Sequence, residues 1–106
     1  MQSYAVGILR DIRMGPSIVE YLERIDATLA PFGGHFVVHG GEARVLEGDS
    51  PGALVVIEFP DDDHVERWYA SPAYQEILPL RADNSRSTVF LVEGVDHTHK
   101  ATDVLG

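Results

Sequence analysis

The stretch LVVIEFPDDDHVERWYASPAYQEILPLR, Leu54–Arg81, decides how the rest of the chain is read. It opens as an apolar strand, Ala53–Phe59, interrupted only by Glu58. Pro60 ends the strand, and Asp61, Asp62 and Asp63 stand where a helix begins. Acidic side chains are favoured there because they meet the positive end of the helix dipole and cap free N–H groups. Val65, Trp68 and Tyr69 form that helix's inward face. Ser71-Pro72 then interrupts it, since the residue before a proline avoids helical angles and proline itself suits a first turn. A second helical segment is therefore predicted from Pro72, with Ala73, Tyr74, Ile77 and Leu78 on its buried side.

Working outward, Ser3–Asp11 reads as a strand apolar on both parities, Tyr4, Val6 and Ile8 on one and Ala5, Gly7 and Leu9 on the other. Such a strand is covered on both faces. Pro16 opens a helix whose stripe is Ile18, Tyr21, Leu22, Ile25, Leu29 and Phe32, with Glu20, Glu23, Arg24 and Asp26 off it. Gly33-Gly34 stops it. His35–His39 is a short strand, with Ala43–Leu46 expected to extend it beyond a bend at Gly40-Gly41. Glu47–Gly52 is turn chemistry. Ser87–Glu93 is the last strand, and residues 95–106 form a polar C-terminal tail outside a single domain spanning 1–94.

The order β-α-β-β-α-β is the split-βαβ pattern, giving an α+β, ferredoxin-like fold with a four-stranded antiparallel sheet and helices on one face. Two helices cover one face only, yet the strands are apolar on both. A monomer rarely leaves several hundred Å² of apolar surface bare. The economical cover is a second copy packed sheet to sheet, so a homodimer through the open sheet face is expected.

Composition narrows the partners. Across 106 residues the net charge is −9, and the eight basic residues are scattered. Such a surface repels phosphate backbones and anionic membranes, so neither nucleic acid nor membrane is expected as a partner. The chain has no cysteine, which removes disulfides, thiolate chemistry and cysteine-ligated metal and suits a reducing cytoplasm. Met1–Arg13 has neither a basic leader nor a long apolar core, which also leads to a cytoplasmic expectation.

Four stretches carry a family resemblance: FGGHFVVHGGEARVLEGD (Phe32–Asp49), VVIEFP (Val55–Pro60), WYASPAYQEILPLR (Trp68–Arg81) and VFLVEG (Val89–Gly94). They resemble the bacterial domain-of-unknown-function family 1330, within the dimeric α/β-barrel superfamily, in register over all but the tail. The resemblance implies a ferredoxin-like subunit and a two-sheet dimeric α/β barrel. The superfamily includes cofactor-free monooxygenases, haem-degrading enzymes, lactone isomerases and sensor-like binding modules, so the fold alone selects none of them.

Two groups of residues carry candidate chemistry. Trp68, Tyr69 and Tyr74 with Arg81, which follows Tyr74 by about two helical turns, would make an aromatic-walled pocket whose cation holds a carboxylate, enolate or phenolate. Some oxygenases of the superfamily place a Trp, a Tyr and an Arg similarly. The plainer reading is a packed helix–sheet layer with Arg81 paired to a surface acid. Glu58, in an otherwise apolar strand, is the second candidate. With His39 or His35, which share a parity, it would form an acid–base pair; His39 and Glu58 are taken as the catalytic candidates. The plainer reading is a strand-end carboxylate at the rim.

No metal set is expected, although His35, His39 and Glu58 would be the residues to form one. No cofactor motif occurs either: GxGxxG, GxxxxGK[ST] and GxSxG are all missing. Three functions remain. One is a cofactor-independent enzyme, monooxygenase- or isomerase-like, acting on a small anionic or phenolic metabolite. The others are a non-catalytic dimer that binds a small molecule, and a structural protein without a ligand.

Overall fold

The structure is a computed structural model that describes all residues, 1–106. Four strands, β1 (Ser3–Arg10), β2 (His35–His39), β3 (Ala53–Phe59) and β4 (Arg86–Glu93), pair antiparallel in the order β2-β3-β1-β4. Three helices, α1 (Pro16–Leu29), α2 (Asp62–Ala70) and α3 (Pro72–Ala82), cover one face. The fold is ferredoxin-like. Its thinnest dimension is 18 Å, about that of one helix layer on one sheet and too thin for a third layer. No helix is long and apolar enough to cross a membrane.

Side-chain alternation assigns the faces. The buried parity of β1 (Ser3, Ala5, Gly7) faces the helices beside Ile57 and Phe59 of β3. The core there joins Tyr21, Ile25 and Leu29 of α1 to Val65 and Trp68 of α2 and to Tyr74 and Ile77 of α3. Phe59, Val65 and Ile77 are essentially fully buried, worth about 1.5–3 kcal/mol each in apolar transfer. The other face carries Tyr4, Val6 and Ile8 of β1, Leu54 and Val56 of β3, Val38 of β2 and Phe90 and Val92 of β4. Nothing in the chain covers it.

The helix boundaries follow the local chemistry. Asp61 caps α2 by accepting from the His64 N–H at 2.9 Å. Ser71 serves two helices, donating from Oγ to the Trp68 carbonyl at 2.6 Å and accepting from the Tyr74 N–H at 3.3 Å. After α1 a 3₁₀ turn, Ala30–Phe32, ends on Gly33 at φ 69°.

Two expectations are corrected. Ala43–Leu46 does not extend β2: pairing ends at His39, and residues 40–51 are exposed and irregular. Ala73 lies on the exposed side of α3, which buries Tyr74, Ile77 and Arg81 instead. Within the tail, Ala101–Leu105 forms a 3₁₀ turn.

Candidate functional site

Between α1, α3 and the helix-facing side of the sheet lies a cavity of about 270 Å³, its lining mostly apolar. The space exists because the sheet beneath it is built from small residues: Ala5, Gly7 and Ala53 all line it. Trp68, Tyr74, Ile25 and Ile57 close its depth, and all four are buried. Its mouth opens where β1 and β2 end and β3 begins, among Ile12, Met14, Leu22, His39 and Gly40, all exposed.

Arg81 is the cation of this cavity. It is only 6% exposed, an unusual degree of burial for arginine. The molecule's arginine ion pairs belong to Arg24, Arg67 and Arg86, so Arg81 has no carboxylate partner. Its Nη1 donates to Ser87 Oγ at 2.6 Å, and its guanidinium carbon lies 5.9 Å from the Tyr21 ring centroid. Burial works against its charge, but the Tyr74 and Tyr21 hydroxyls outweigh that and raise its pKa. The guanidinium therefore stays charged.

The two phenols meet at 2.8 Å, Tyr21 Oη to Tyr74 Oη, with the rings edge to face. Burial first, and Tyr74 next, push the Tyr21 phenol far above its ordinary range, so it stays a neutral O–H. In a hydrogen-bonded phenol pair one proton fills the mutual bond and the other is free for a guest. Trp68 Nε1 donates to Thr28 Oγ1 at 3.0 Å, which fixes the indole as the back wall. Arg24 bridges Glu20 and Glu76 at 2.7 Å each and ties α1 to α3 on their solvent side.

Of the six candidate residues, Trp68, Tyr74, Arg81 and His39 line one cavity. Tyr69 does not: it is half-buried and packs against Trp68 and Tyr74 from outside, with ring centroids at 6.2 and 5.6 Å. Glu58 is on the opposite face of the sheet. The expected pairing of Glu58 with His39 is thereby corrected, and so is the shared parity of His35 and His39. A register shift between Phe36 and Val38 turns His39 to the helix side, opposite Val55, while His35 stays opposite Glu58. One extra residue in a strand reverses every later side chain.

His35 Nε2 lies 3.2 Å from Glu58 Oε1, and Tyr4 Oη donates to Glu58 Oε2 at 3.2 Å. Burial, followed by the Glu58 carboxylate beside it, raises the Tyr4 pKa. Sequence reasoning passed over Tyr4 and Tyr21 as strand and stripe residues. Their parity was visible, but their hydroxyl partners come from distant segments.

The split of the two histidines also separates the residues considered for a metal. Asp61, Asp63 and His64 do cluster, at the start of α2. Helix capping accounts for them: Asp61 Oδ1 accepts from the His64 N–H and sits 2.6 Å from its Nδ1, which lowers the Asp61 pKa.

No curated protein matches the chain. A protein of unknown function from Rhodopseudomonas palustris has a TM-score of 0.67 at 16% identity, covering 90% of this chain and 83% of that one. A dimeric ferredoxin-like protein of unknown function from Jannaschia sp. gives 0.58 at 14% identity, over 89% of this chain and 100% of that one. The cofactor-independent oxygenase SnoaB from Streptomyces nogalater gives 0.60 at 21% identity, over 93% and 98% respectively. At such identities the likeness is one of fold. The family model for a domain of unknown function, DUF1330, matches residues 2–95, and the chain belongs to that family.

Proposed function

We propose that this chain is a cofactor-independent enzyme acting on a small, mostly apolar molecule with one acidic oxygen, bound between helices and sheet. One observation carries the reading: Arg81 is buried in the wall of an apolar cavity with no carboxylate beside it. A buried charge must be compensated, and removing it from water is costly unless a partner is found. In a chain of net charge −9 an anion is repelled at long range, so a site for one needs such a local cation.

In this reading Arg81 takes the anionic oxygen in a charge-assisted hydrogen bond, and the Tyr21–Tyr74 pair supplies a neutral donor. His39, at the mouth of the same cavity, accepts the proton from an acidic C–H or O–H, and the electron pair settles on the oxygen facing Arg81. Returning that proton to another carbon completes an isomerisation; a monooxygenase-like outcome takes dioxygen as second substrate. The cofactor-independent oxygenase SnoaB has the same fold, which supports the enzyme reading by analogy alone. Glu58 is outside this chemistry.

The working unit in this reading is a homodimer joined through the open sheet face. Its support is the apolar surface there, with Val38, Phe90 and Val92 at 38%, 43% and 47% exposure, and the dimeric Jannaschia protein of like fold.

Titration with 2-naphthoate, an apolar monocarboxylate, tests the site. Arg81→Ala should weaken binding by about 1.5–3 kcal/mol, the range for hydrogen bonds to charged groups. Arg13→Ala and Arg67→Ala should change nothing. Equal effects from all three would remove Arg81 from the site. His39→Gln should leave binding intact and slow solvent-deuterium exchange at the acidic carbon of a turned-over ligand. Exchange unaffected by this change would remove His39 as the base, and a parent protein that exchanges no ligand proton would be a binding module.

A further inference from the structure

The segment from Gly40 to Gly52 is the part of the molecule least accounted for by the fold. Its ends belong to the cavity: His39 and Gly40 line the mouth on one side and Ala53 on the other. Between them, residues 41–51 enter no hydrogen bond and no ion pair, and all are exposed. The last tie is the Gly40 N–H to the Leu54 carbonyl at 2.7 Å. Connections in compact domains are mostly a few residues long, and irregular ones of about a dozen or more are commonly lids or binding loops.

Both hinge positions are glycines in the left-handed region, Gly40 at φ 67° and Gly52 at φ 103°. A Cβ on Gly52 would lie 2.7 Å from the Leu9 carbonyl oxygen, whereas Gly40 has open space around it. The loop's apex carries Val45 and Leu46, and Leu46 is 93% exposed. One exposed leucine needs no explanation by itself. Here, however, the cavity mouth at the foot of the same loop is also ringed by exposed apolar side chains, Ile12, Leu22 and Met14, the last at 68%.

Resting on the binding site proposed above, we infer that Gly40–Gly52 is a lid that folds over the cavity and seats Val45 and Leu46 against Ile12, Met14 and Leu22. The six steps from Gly40 to Leu46 can reach about 20 Å when extended, enough to cross the mouth. Closure buries two apolar surfaces at once and expels water from around Arg81, which strengthens its hold on an anion. Charge does not drive it, because Glu42, Glu47 and Asp49 outnumber Arg44 on the loop.

The absence of native cysteine allows a test that needs no ligand. In a Met14→Cys/Leu46→Cys variant, mild oxidation should form a disulfide within one chain, since such a bond requires Cα atoms within about 7 Å. A Leu46→Cys/Ala73→Cys variant, whose second thiol sits on the exposed side of α3, should cross-link far more slowly. Equal rates, or disulfides only between chains, would overturn the lid. Leu46→Ser should also release 2-naphthoate several-fold faster with an unchanged Tm; no change in release counts against closure. A chain that cross-links as expected but binds no 2-naphthoate keeps the lid and loses the binding reading.

Discussion

Arg81 and Tyr21 show how single residues acquire their roles from neighbours far away in the chain. Tyr74 and Arg81 were legible together because seven residues on a helix are about two turns. Tyr21, fifty-odd residues earlier, read only as one member of an apolar stripe, and its contact with Tyr74 exists only once α1 and α3 pack. That contact has a consequence at high pH. Burial and then Tyr74 raise the Tyr21 pKa above its ordinary 10.0 in the folded chain. Its contribution to stability is complete below that ordinary value and is lost as pH rises from there toward the folded one, because only the unfolded chain ionises. Urea midpoints should therefore fall above about pH 10, and Tyr21→Phe should flatten that fall. Below that range the variant should lose about 1 kcal/mol with the Tyr21–Tyr74 hydrogen bond. An unchanged alkaline slope would show that Tyr21 ionises freely.

At the scale of elements, capping and proline signals were the most readable. Ser71 ends α2 and begins α3 with one hydroxyl. Ser71→Ala should cost about 0.5–2 kcal/mol, and each kcal/mol lost should lower Tm by about 4–8 °C in a domain of this size. A variant melting with the parent would mean that Pro72 alone sets the break. Strand β2 was the least readable element. The register shift after Phe36 has no marker in HFVVH, and it put His39 and Glu58 on opposite sides of the sheet. Likewise, Ala43–Leu46 has strand-like residues but no neighbour to pair with beyond His39.

For the whole molecule, the bare sheet face is the apolar surface that the chain's own helices leave uncovered. Two such faces would bury on the order of 1,500 Å² in a stable pair. Sedimentation should find a dimer at micromolar concentration. Val56→Lys, in the middle of that face opposite Val6 and Val38, should yield a folded monomer because it places a charge in the apolar contact. A monomeric parent protein, or a Val56→Lys variant that stays dimeric, would rule out this face. The Tyr4–Glu58–His35 group lies on the same face, where the Tyr4 hydrogen bond and the His35 ring beside it let a carboxylate sit among apolar neighbours.

What the sequence by itself determined is the element order, the helix ends and the two-sided apolarity of the strands. These depend on period, proline, glycine and capping chemistry within a few residues of each site. Tertiary structure alone decided which face each histidine occupies, which phenol meets Tyr74, and that Arg81 is buried without a carboxylate. Those outcomes depend on strand register and helix packing, where one inserted residue or one crossing helix changes a side chain's partner without leaving a local trace.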